Sequence, residues 1–186
     1  MHHTKQIVLL GSSGRLPFNG EFYLLLELAQ LNVEIIGRVG STLRPEDSWE
    51  SCLTIREALQ GISGDDPLSA TRAVWDRLLA MPRRDFGANH GEDLSLMVVA
   101  RSETRGALSA VGLKSIWSLS VDNQCTLIVG ADLPEVNAFG IPRVPPKALK
   151  LENPDTVFVG SVASTNQPSP SEVAALFPSD EERAKG

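Results

Sequence analysis

The sequence has little of several features that would assign it to a class of protein at once. Of its 186 residues 5% are aromatic, two are cysteines, and no apolar run approaches the roughly 20 residues of a membrane-spanning helix. Cys52 and Cys125 lie far apart and indicate no disulfide framework. The first five residues lack the apolar segment of a signal peptide. We therefore expect a soluble, cytoplasmic protein with no membrane partner.

Positive charge is also in short supply. Lysines and arginines number 17 against 23 aspartates and glutamates, which gives a net charge of −6, and the basic residues are scattered. Nucleic acids and anionic membranes are held by concentrated basic surfaces, so neither is an expected partner. With 42% hydrophobic residues the chain can bury one substantial core, and we predict a single globular domain over residues 1–186.

The signatures of catalysis are absent from the sequence as well. It contains no metal-ligand spacing, no complete nucleophile constellation and no complete phosphate-binding loop. The sequence therefore assigns no catalytic residue, no metal and no cofactor. A function has to be inferred from the architecture and from the few local patterns that remain.

What the sequence does contain is a long apolar stretch at its centre. Residues 94–100 form one apolar run, residues 102–106 read S-E-T-R-G, and residues 107–119 form a second run. Two apolar runs around a short polar turn are typical of a β-hairpin whose strands are largely buried. We expect the rest of the chain to pack around this hairpin.

The remaining pattern divides into strands, helices and two irregular segments. Helix spacing of Phe22, Leu25, Leu26 and Ala29 predicts a helix over residues 21–31, so that residues 6–39 form a β-loop-α-β unit. A proline-rich surface loop is predicted at 131–146 and a frayed tail at 178–186. The fold class is therefore α/β or α+β, a layered single domain with a mostly antiparallel sheet covered by helices. Further strands are predicted at 6–10, 33–39, 125–130 and 155–162, and further helices at 46–60, 66–81 and 171–177.

One loop has the composition of an anion site. Small residues let backbone N–H groups converge on a phosphate, and an arginine can add a charged fork. The residues are Gly11, Ser12, Ser13, Gly14 and Arg15. The alternative is an ordinary glycine turn, because Pro17 and Phe18 separate this loop from the next element and the dinucleotide fingerprint is incomplete.

A polar loop at 82–93 offers a second, weaker candidate. His90 lies near Glu92 and Asp93, and a histidine–carboxylate pair can perform general acid–base chemistry. A solvent-facing histidine is the alternative, since no serine or cysteine nucleophile accompanies it. The three tryptophans and the two cysteines are interpreted as buried packing residues.

The central hairpin also resembles a known family. Val111-Gly112-Leu113-Lys114-Ser115-Ile116-Trp117 is similar to the V-G-D-S-R-A-Y strand of the metal-dependent 2C-type protein phosphatases, and Asp122-Asn123 matches the turn that follows. Upstream, the stretch 11–21, which ends in Gly20-Glu21, is similar to the glycine-rich loop of that family.

The resemblance implies two divalent ions held by carboxylates, and the departures fall on those carboxylates. The aspartate of V-G-D corresponds to Leu113, the aspartate after the first strand is missing in the region of Gly11-Ser12, and Val159-Gly160-Ser161 stands near an expected S-D-G. Glycine, serine and leucine cannot hold two such ions. The resemblance therefore implies a divergent relative that lacks the metal ligands.

These observations favour a non-catalytic, phosphatase-like domain that acts by protein–protein association, with a protein partner or with a second copy of itself. The predicted association surface lies in the loop 131–146, where hydrophobic residues stand among few charges, although they could instead cover the open end of a sheet. A small-ligand or nucleotide-binding domain that uses the Gly11 loop, and an enzyme of unrecognised chemistry around His90, remain alternatives. The hydrophobic residues of the association surface are Leu133, Val136, Phe139 and Ile141.

Overall fold

The computed structural model describes residues 7–10, 21–39, 45–81, 94–120, 124–129, 144–152, 156–162 and 169–175. The chain divides into two compact units. The first unit comprises Met1–Phe18, Leu113–Leu133 and Asp155–Gly186, and the second comprises Asn19–Gly112 and Pro134–Pro154. The prediction of one domain over 1–186 stays a prediction.

Nine strands and three helices are present among the described residues. In chain order they are β1 (Ile7–Leu10), β2 (Glu21–Glu27), β3 (Asn32–Val39), α1 (Pro45–Ala58), α2 (Pro67–Ala80), β4 (Leu94–Arg101), β5 (Gly106–Val111), β6 (Leu113–Leu119), β7 (Cys125–Val129), β8 (Leu149–Leu151), β9 (Val157–Val162) and α3 (Pro170–Ala174). None of these helices has the length and apolarity that crossing a membrane requires.

The second unit is a five-stranded antiparallel sheet with two helices packed on one face. The strand order is β2-β3-β4-β5-β8. Successive side chains of a strand point to opposite faces, so every second residue reaches the helices. The core between sheet and helices contains Phe22, Leu24, Val33, Ile35, Leu96, Val98, Ala100 and Val111 from the strands and Ile55, Leu59, Ala70, Val74, Trp75 and Leu78 from the helices.

Helix α2 begins where the sequence predicts. The Asp66 carboxylate accepts hydrogen bonds from the backbone amides of Leu68 (2.9 Å) and Ser69 (3.2 Å), and the Ser69 hydroxyl lies 3.3 Å from the Asp66 amide. Pro67 follows at the first helical position, where its missing N–H has no partner to lose. The amide of Ser69 contributes most to holding the pKa of the Asp66 carboxyl below its ordinary value. This reciprocal cap fixes the start of the helix.

The predicted helix at 21–31 is wrong, because residues 21–27 form β2. Phe22 and Leu24 alternate with Tyr23 and Leu25 onto opposite faces, which is strand spacing. A nearly continuous apolar run satisfies both the helix and the strand period, and pairing with β3 decides between them. Residues 6–39 are therefore not a β-loop-α-β unit but contain the antiparallel hairpin of β2 and β3. In its turn the Leu28 amide donates a hydrogen bond of 2.8 Å to the Leu31 carbonyl.

The second central run, predicted as one strand over 107–119, is in fact two strands. Gly112 has a φ of 66°, in the left-handed region that glycine adopts without steric cost. At this residue the chain leaves β5, in the five-stranded sheet, and begins β6, in the other sheet. The short strand β8 is also missed by the sequence analysis, because it has only three residues and follows two prolines.

The first unit contains a four-stranded sheet in the order β1-β9-β6-β7. Strand β6 is antiparallel to both of its neighbours, whereas β1 and β9 run parallel. Helix α3 starts at Ser169, whose hydroxyl accepts from the Glu172 amide, and its Val173 packs with Trp117 and Val159. Of the predicted loop at 131–146, residues 144–146 contain no strand and 131–143 lie outside the described residues, as does the predicted tail 178–186.

The predicted fold class is confirmed, since the sheets are mostly antiparallel and carry helices. Trp75 and Trp117 are buried as expected, whereas the side chain of Trp49 lies outside the described residues. Cys52 and Cys125 are half-buried rather than fully buried, and this burial raises the pKa of both thiols above the ordinary value, with Arg56 opposing the shift at Cys52.

Candidate functional site

One end of the four-stranded sheet brings together Leu113, Ser161 and Leu10, the residue before the predicted anion loop. Strand pairing aligns Leu10 with Ser161 at the carboxyl ends of β1 and β9. At the amino end of β6, Leu113 is aligned with Val162 and Ser115 with Ser161. We call this the Leu113 end of the sheet and define it by Leu10, Leu113 and Ser161. Leu10 and Leu113 are 103 positions apart and Ser161 is 48 positions further on, so residues distant in sequence meet at one sheet end.

The turn just before Leu113 is held by a side chain of the second unit. The Ser95 hydroxyl, at the start of β4, donates a hydrogen bond of 3.0 Å to the Gly112 carbonyl. Ser95 is itself buried, and a buried hydroxyl is stable only when its hydrogen bond is made. The positive φ of Gly112 and this hydrogen bond together fix the backbone at the end of β5, within the second unit.

Leu113 supplies the wrong chemistry for a cation. Its side chain is aliphatic and 4% exposed, at the position where the V-G-D pattern has an aspartate. Divalent cations such as Mg²⁺ take oxygen ligands, usually carboxylates. The described part of the first unit contains one acidic residue, Glu172, and its carboxylate accepts the Ser169 amide at 2.8 Å in the cap of α3. The described residues at the Leu113 end therefore do not fit a divalent-metal site.

The same result holds across the described part of both units. No group of three or more histidine, cysteine, aspartate or glutamate side chains there is arranged to hold a metal ion. The described residues therefore do not provide the carboxylate ligands that the resemblance to the 2C-type phosphatases implies.

The predicted binding residues lie outside the described part of the chain. This applies to the anion loop, to the association surface and to His90, so the structure does not test these assignments. What it does provide is the position of Leu10, the residue that precedes Gly11, at the Leu113 end of the sheet. The residues concerned are Gly11, Ser12, Ser13, Gly14, Arg15, His90, Leu133, Val136, Phe139 and Ile141.

A buried polar cluster in the second unit escaped the sequence analysis. The Tyr23 hydroxyl donates a hydrogen bond of 2.8 Å to Glu34 Oε1, and Arg101 Nε lies 3.4 Å from Glu34 Oε2. The side chains of Glu34 and Arg101 are 1% and 7% exposed. We call these three residues the Tyr23 cluster.

Strand register explains how the Tyr23 cluster forms. Glu34 is paired with Leu25 on β2 and with Val99 on β4, and Tyr23 and Arg101 are each two residues away from those partners on the same face. That face is opposite the helices. The sequence signal for this cluster is a charged residue within each of two apolar strands, Glu34 in β3 and Arg101 in β4. Only the strand register shows that these two side chains meet.

The electrostatics of the Tyr23 cluster favour a structural role. Burial raises the pKa of Tyr23 well above its ordinary value, and the hydrogen bond to the Glu34 carboxylate and its charge act in the same direction, while Arg101 opposes them. Tyr23 therefore remains a neutral donor at physiological pH. The Glu34 carboxylate is buried, and its charge is compensated by the Arg101 guanidinium and the Tyr23 hydroxyl. Because the three residues lie on β2, β3 and β4, these contacts stabilise the pairing of three strands.

No family model matches the sequence, and no curated protein matches it. Among solved structures, the chain is similar to the RsbU and RsbW domains of a Mycobacterium tuberculosis protein, with 13% identity and a TM-score of 0.49 over 78% of this chain and 39% of that one. It is similar to the SiaA PP2C domain of Pseudomonas aeruginosa, with 14% identity and a TM-score of 0.48 over 72% and 50%. It is also similar to RsbX in complex with magnesium, with 13% identity and a TM-score of 0.49 over 89% and 77%.

The predicted resemblance to 2C-type phosphatases is confirmed to the extent that solved structures similar to this chain include a PP2C domain. The chain spans half or less of the first two of these structures. With identities of 13–14% and TM-scores below 0.5, neither an activity nor a functional residue is transferred from them to this chain.

Proposed function

We propose that this chain is a non-catalytic, phosphatase-like domain that acts by binding a protein partner. The observation that carries the proposal is the buried aliphatic side chain of Leu113 at the V-G-D position. Metal-assisted hydrolysis needs carboxylates that fix the ions and a water bound to them. A leucine offers neither a ligand nor space for a hydrated ion.

The other two positions of the motif point the same way. The sequence has Gly11-Ser12 after the first strand and Val159-Gly160-Ser161 on β9. Strand pairing aligns Ser161 with Leu10 and Ser115. The residues that strand pairing brings to the Leu113 end of the sheet are therefore leucines, serines and a valine, and none of them carries a carboxylate.

Calorimetric titration with Mn²⁺ and Mg²⁺ tests the non-catalytic part of the proposal. We expect no stoichiometric binding, and hydrolysis of a generic phosphomonoester should stay at the rate of a buffer blank. The Leu113→Asn variant, which is close in size and adds an oxygen ligand, serves as the matched control and should also remain inactive because it adds one ligand of several. A stoichiometric metal site that supports turnover in the unmodified chain would contradict the proposal.

Association is proposed to use the loop 131–146. Loops that carry hydrophobic residues among few charges are suited to docking, and prolines reduce the entropy lost on binding. The described end of the loop is in keeping with this, because Val144 is 69% exposed. The partner is a cytoplasmic protein or a second copy of the chain.

The double substitution Phe139→Ser and Ile141→Ser tests the association surface. If these side chains dock a partner, the variant keeps its melting temperature and loses self-association in analytical ultracentrifugation or loses a partner in pull-down. If they cover the sheet instead, the variant loses several kcal/mol of stability, on the order of two buried hydrophobic side chains. A variant that is fully stable and fully associated would rule out this surface.

A small-ligand function is the second candidate, and one observation favours it. Leu10 ends β1 at the Leu113 end of the sheet, so the anion loop that starts at Gly11 follows the carboxyl end of a strand. Ligands of α/β proteins commonly bind beyond the carboxyl ends of strands.

A further inference from the structure

The segment from Val144 to Lys147 is an exposed stretch with an unusual sequence. It reads V-P-P-K, and residues 145–148 belong to no helix or strand before the chain enters β8 at Leu149. Among the large hydrophobic side chains of the described residues, that of Val144 is the most exposed. Nothing in the sheet requires this sequence, since β8 begins after it.

The two prolines determine the backbone of this segment. A proline ring holds φ at about −65°, and a residue that precedes a proline is restricted to extended or polyproline II geometry. Val144 and Pro145 both precede a proline, so the chain that follows the bend at Val144 is restricted to extended or polyproline II geometry. A polyproline II helix repeats every three residues and has three ridges.

The burial of the four residues follows these ridges. Val144 and Lys147 share one ridge and are exposed, and Pro145 lies on the second ridge and is exposed. Pro146 lies on the third ridge and is buried. One ridge is therefore buried, and the other two are available to a partner.

The charge around this segment is opposite to that of the chain as a whole. Residues 143–150 read R-V-P-P-K-A-L-K and contain three basic residues and no acidic one, whereas the net charge of the chain is −6. Pro142 and Pro145 have the P-x-x-P spacing in the sequence. A partner that fits this segment carries flat aromatic rings for the Val144-Pro145 pair and a carboxylate for Lys147.

We propose that Val144, Pro145 and Lys147 form the ligand of an aromatic-lined, acid-rimmed groove that reads polyproline II helices in a partner protein. The inference rests on the proposed function, because it specifies the kind of partner that the association surface binds. The preset backbone loses little conformational entropy on docking, which favours recognition of so short a segment.

Binding of the full-length chain to a panel of purified SH3 domains with acidic pockets tests the inference. We expect at least one domain to bind at concentrations up to about 1 mM, the weak end of the affinity scale. Pro145→Ala and Lys147→Glu should each weaken this binding about tenfold, because the first removes the preset backbone and the second repels the acidic rim. Lys147→Glu changes an exposed side chain and should leave the melting temperature unchanged, whereas Pro145→Ala should lower it only slightly, because the unfolded chain gains conformational freedom.

Lys150→Glu is the matched control, since it makes the same charge reversal at an exposed lysine three residues further on, within β8. Lys150→Glu should change the affinity by no more than about twofold. An equal loss of affinity for Lys147→Glu and Lys150→Glu would show that only the net charge of the chain matters, and it would overturn the inference. Absence of binding to every domain would also overturn it. If Phe139→Ser with Ile141→Ser abolishes association while no domain of the panel binds, the proposed function stands and this inference fails.

Discussion

Trp75 on α2 donates its indole N–H to the hydroxyl of Ser109 on β5 at 2.6 Å, and both side chains are buried. The two residues are 34 positions apart, so this hydrogen bond fixes a helix on the sheet by a polar contact inside an otherwise apolar interface. Because burial removes water as a substitute partner, losing one side of the pair costs more than losing both.

We therefore expect Ser109→Ala to lower the free energy of unfolding by about 1–3 kcal/mol, as is typical for a buried donor left without an acceptor. Adding Trp75→Phe to Ser109→Ala should cost less than the sum of the two single losses. Urea denaturation of the four proteins in a double-mutant cycle measures the coupling. Additive losses would show that the hydrogen bond contributes nothing beyond packing.

Tyr23 offers a pH-dependent test of the buried cluster. The pKa is raised in the folded state above the ordinary value of 10.0, so the folded chain holds this proton more tightly than the unfolded chain. The stabilisation is fully present below pH 10.0 and decreases as the pH rises above it, towards the folded pKa. We expect the free energy of unfolding to fall above pH 10.0 with a slope that Tyr23→Phe reduces.

This titration can be observed directly, because Tyr23 is the single tyrosine of the chain. Tyrosinate absorbance should remain low above pH 10.0 and appear together with the loss of tertiary structure, followed by circular dichroism. Ionisation of the tyrosine at its ordinary pH in a chain that is still folded would contradict the burial and hydrogen bonding described for it.

Gly112 is expected to resist substitution for a backbone reason. At a φ of 66°, a Cβ atom is strained in any L-residue, so Gly112→Ala should lower the free energy of unfolding by about 1–2 kcal/mol. Gly61 is the matched control, since it has a φ of 70° and no atom within 4 Å of an added Cβ. Gly61→Ala measures the backbone cost alone, and a loss at Gly112 no larger than experimental error would show that its conformation relaxes.

The anion loop can be tested by ligand-induced stabilisation. If Gly11–Arg15 binds a phosphate group, a nucleotide at millimolar concentration should raise the melting temperature, because a ligand stabilises the folded state according to its occupancy. Arg15→Ala should abolish that shift and leave the melting temperature of the free protein nearly unchanged. A panel of nucleotides that produces no shift with the unmodified chain would exclude this function.

The helices show what the sequence could predict. The cap at Asp66 and Pro67 and the spacing of Val74 and Leu78 are local signals, and α2 begins at the predicted residue. The run that starts at Phe22 fits a helix and a strand equally well from local spacing. It becomes a strand because Glu21–Glu27 pairs with β3, and pairing between strands is not encoded in local periodicity.

The candidate site was less accessible from sequence for the same reason. The sequence shows a leucine at residue 113, where the V-G-D pattern has an aspartate. That Leu113 lies near Leu10 and Ser161 depends on the order of the strands in the sheet. The positive φ of Gly112 also cannot be predicted from the sequence, because glycine adopts positive and negative φ with similar ease. The Tyr23 cluster required the register of three strands before its charges could be paired.

The burial of Leu113 makes a carboxylate at this position costly. A single change to aspartate would place a negative charge in an apolar, water-poor environment before any cation could compensate it, and the folded state would be weakened. Building a metal site at the Leu113 end would therefore require several carboxylates to be introduced together, because each of them alone would destabilise the fold.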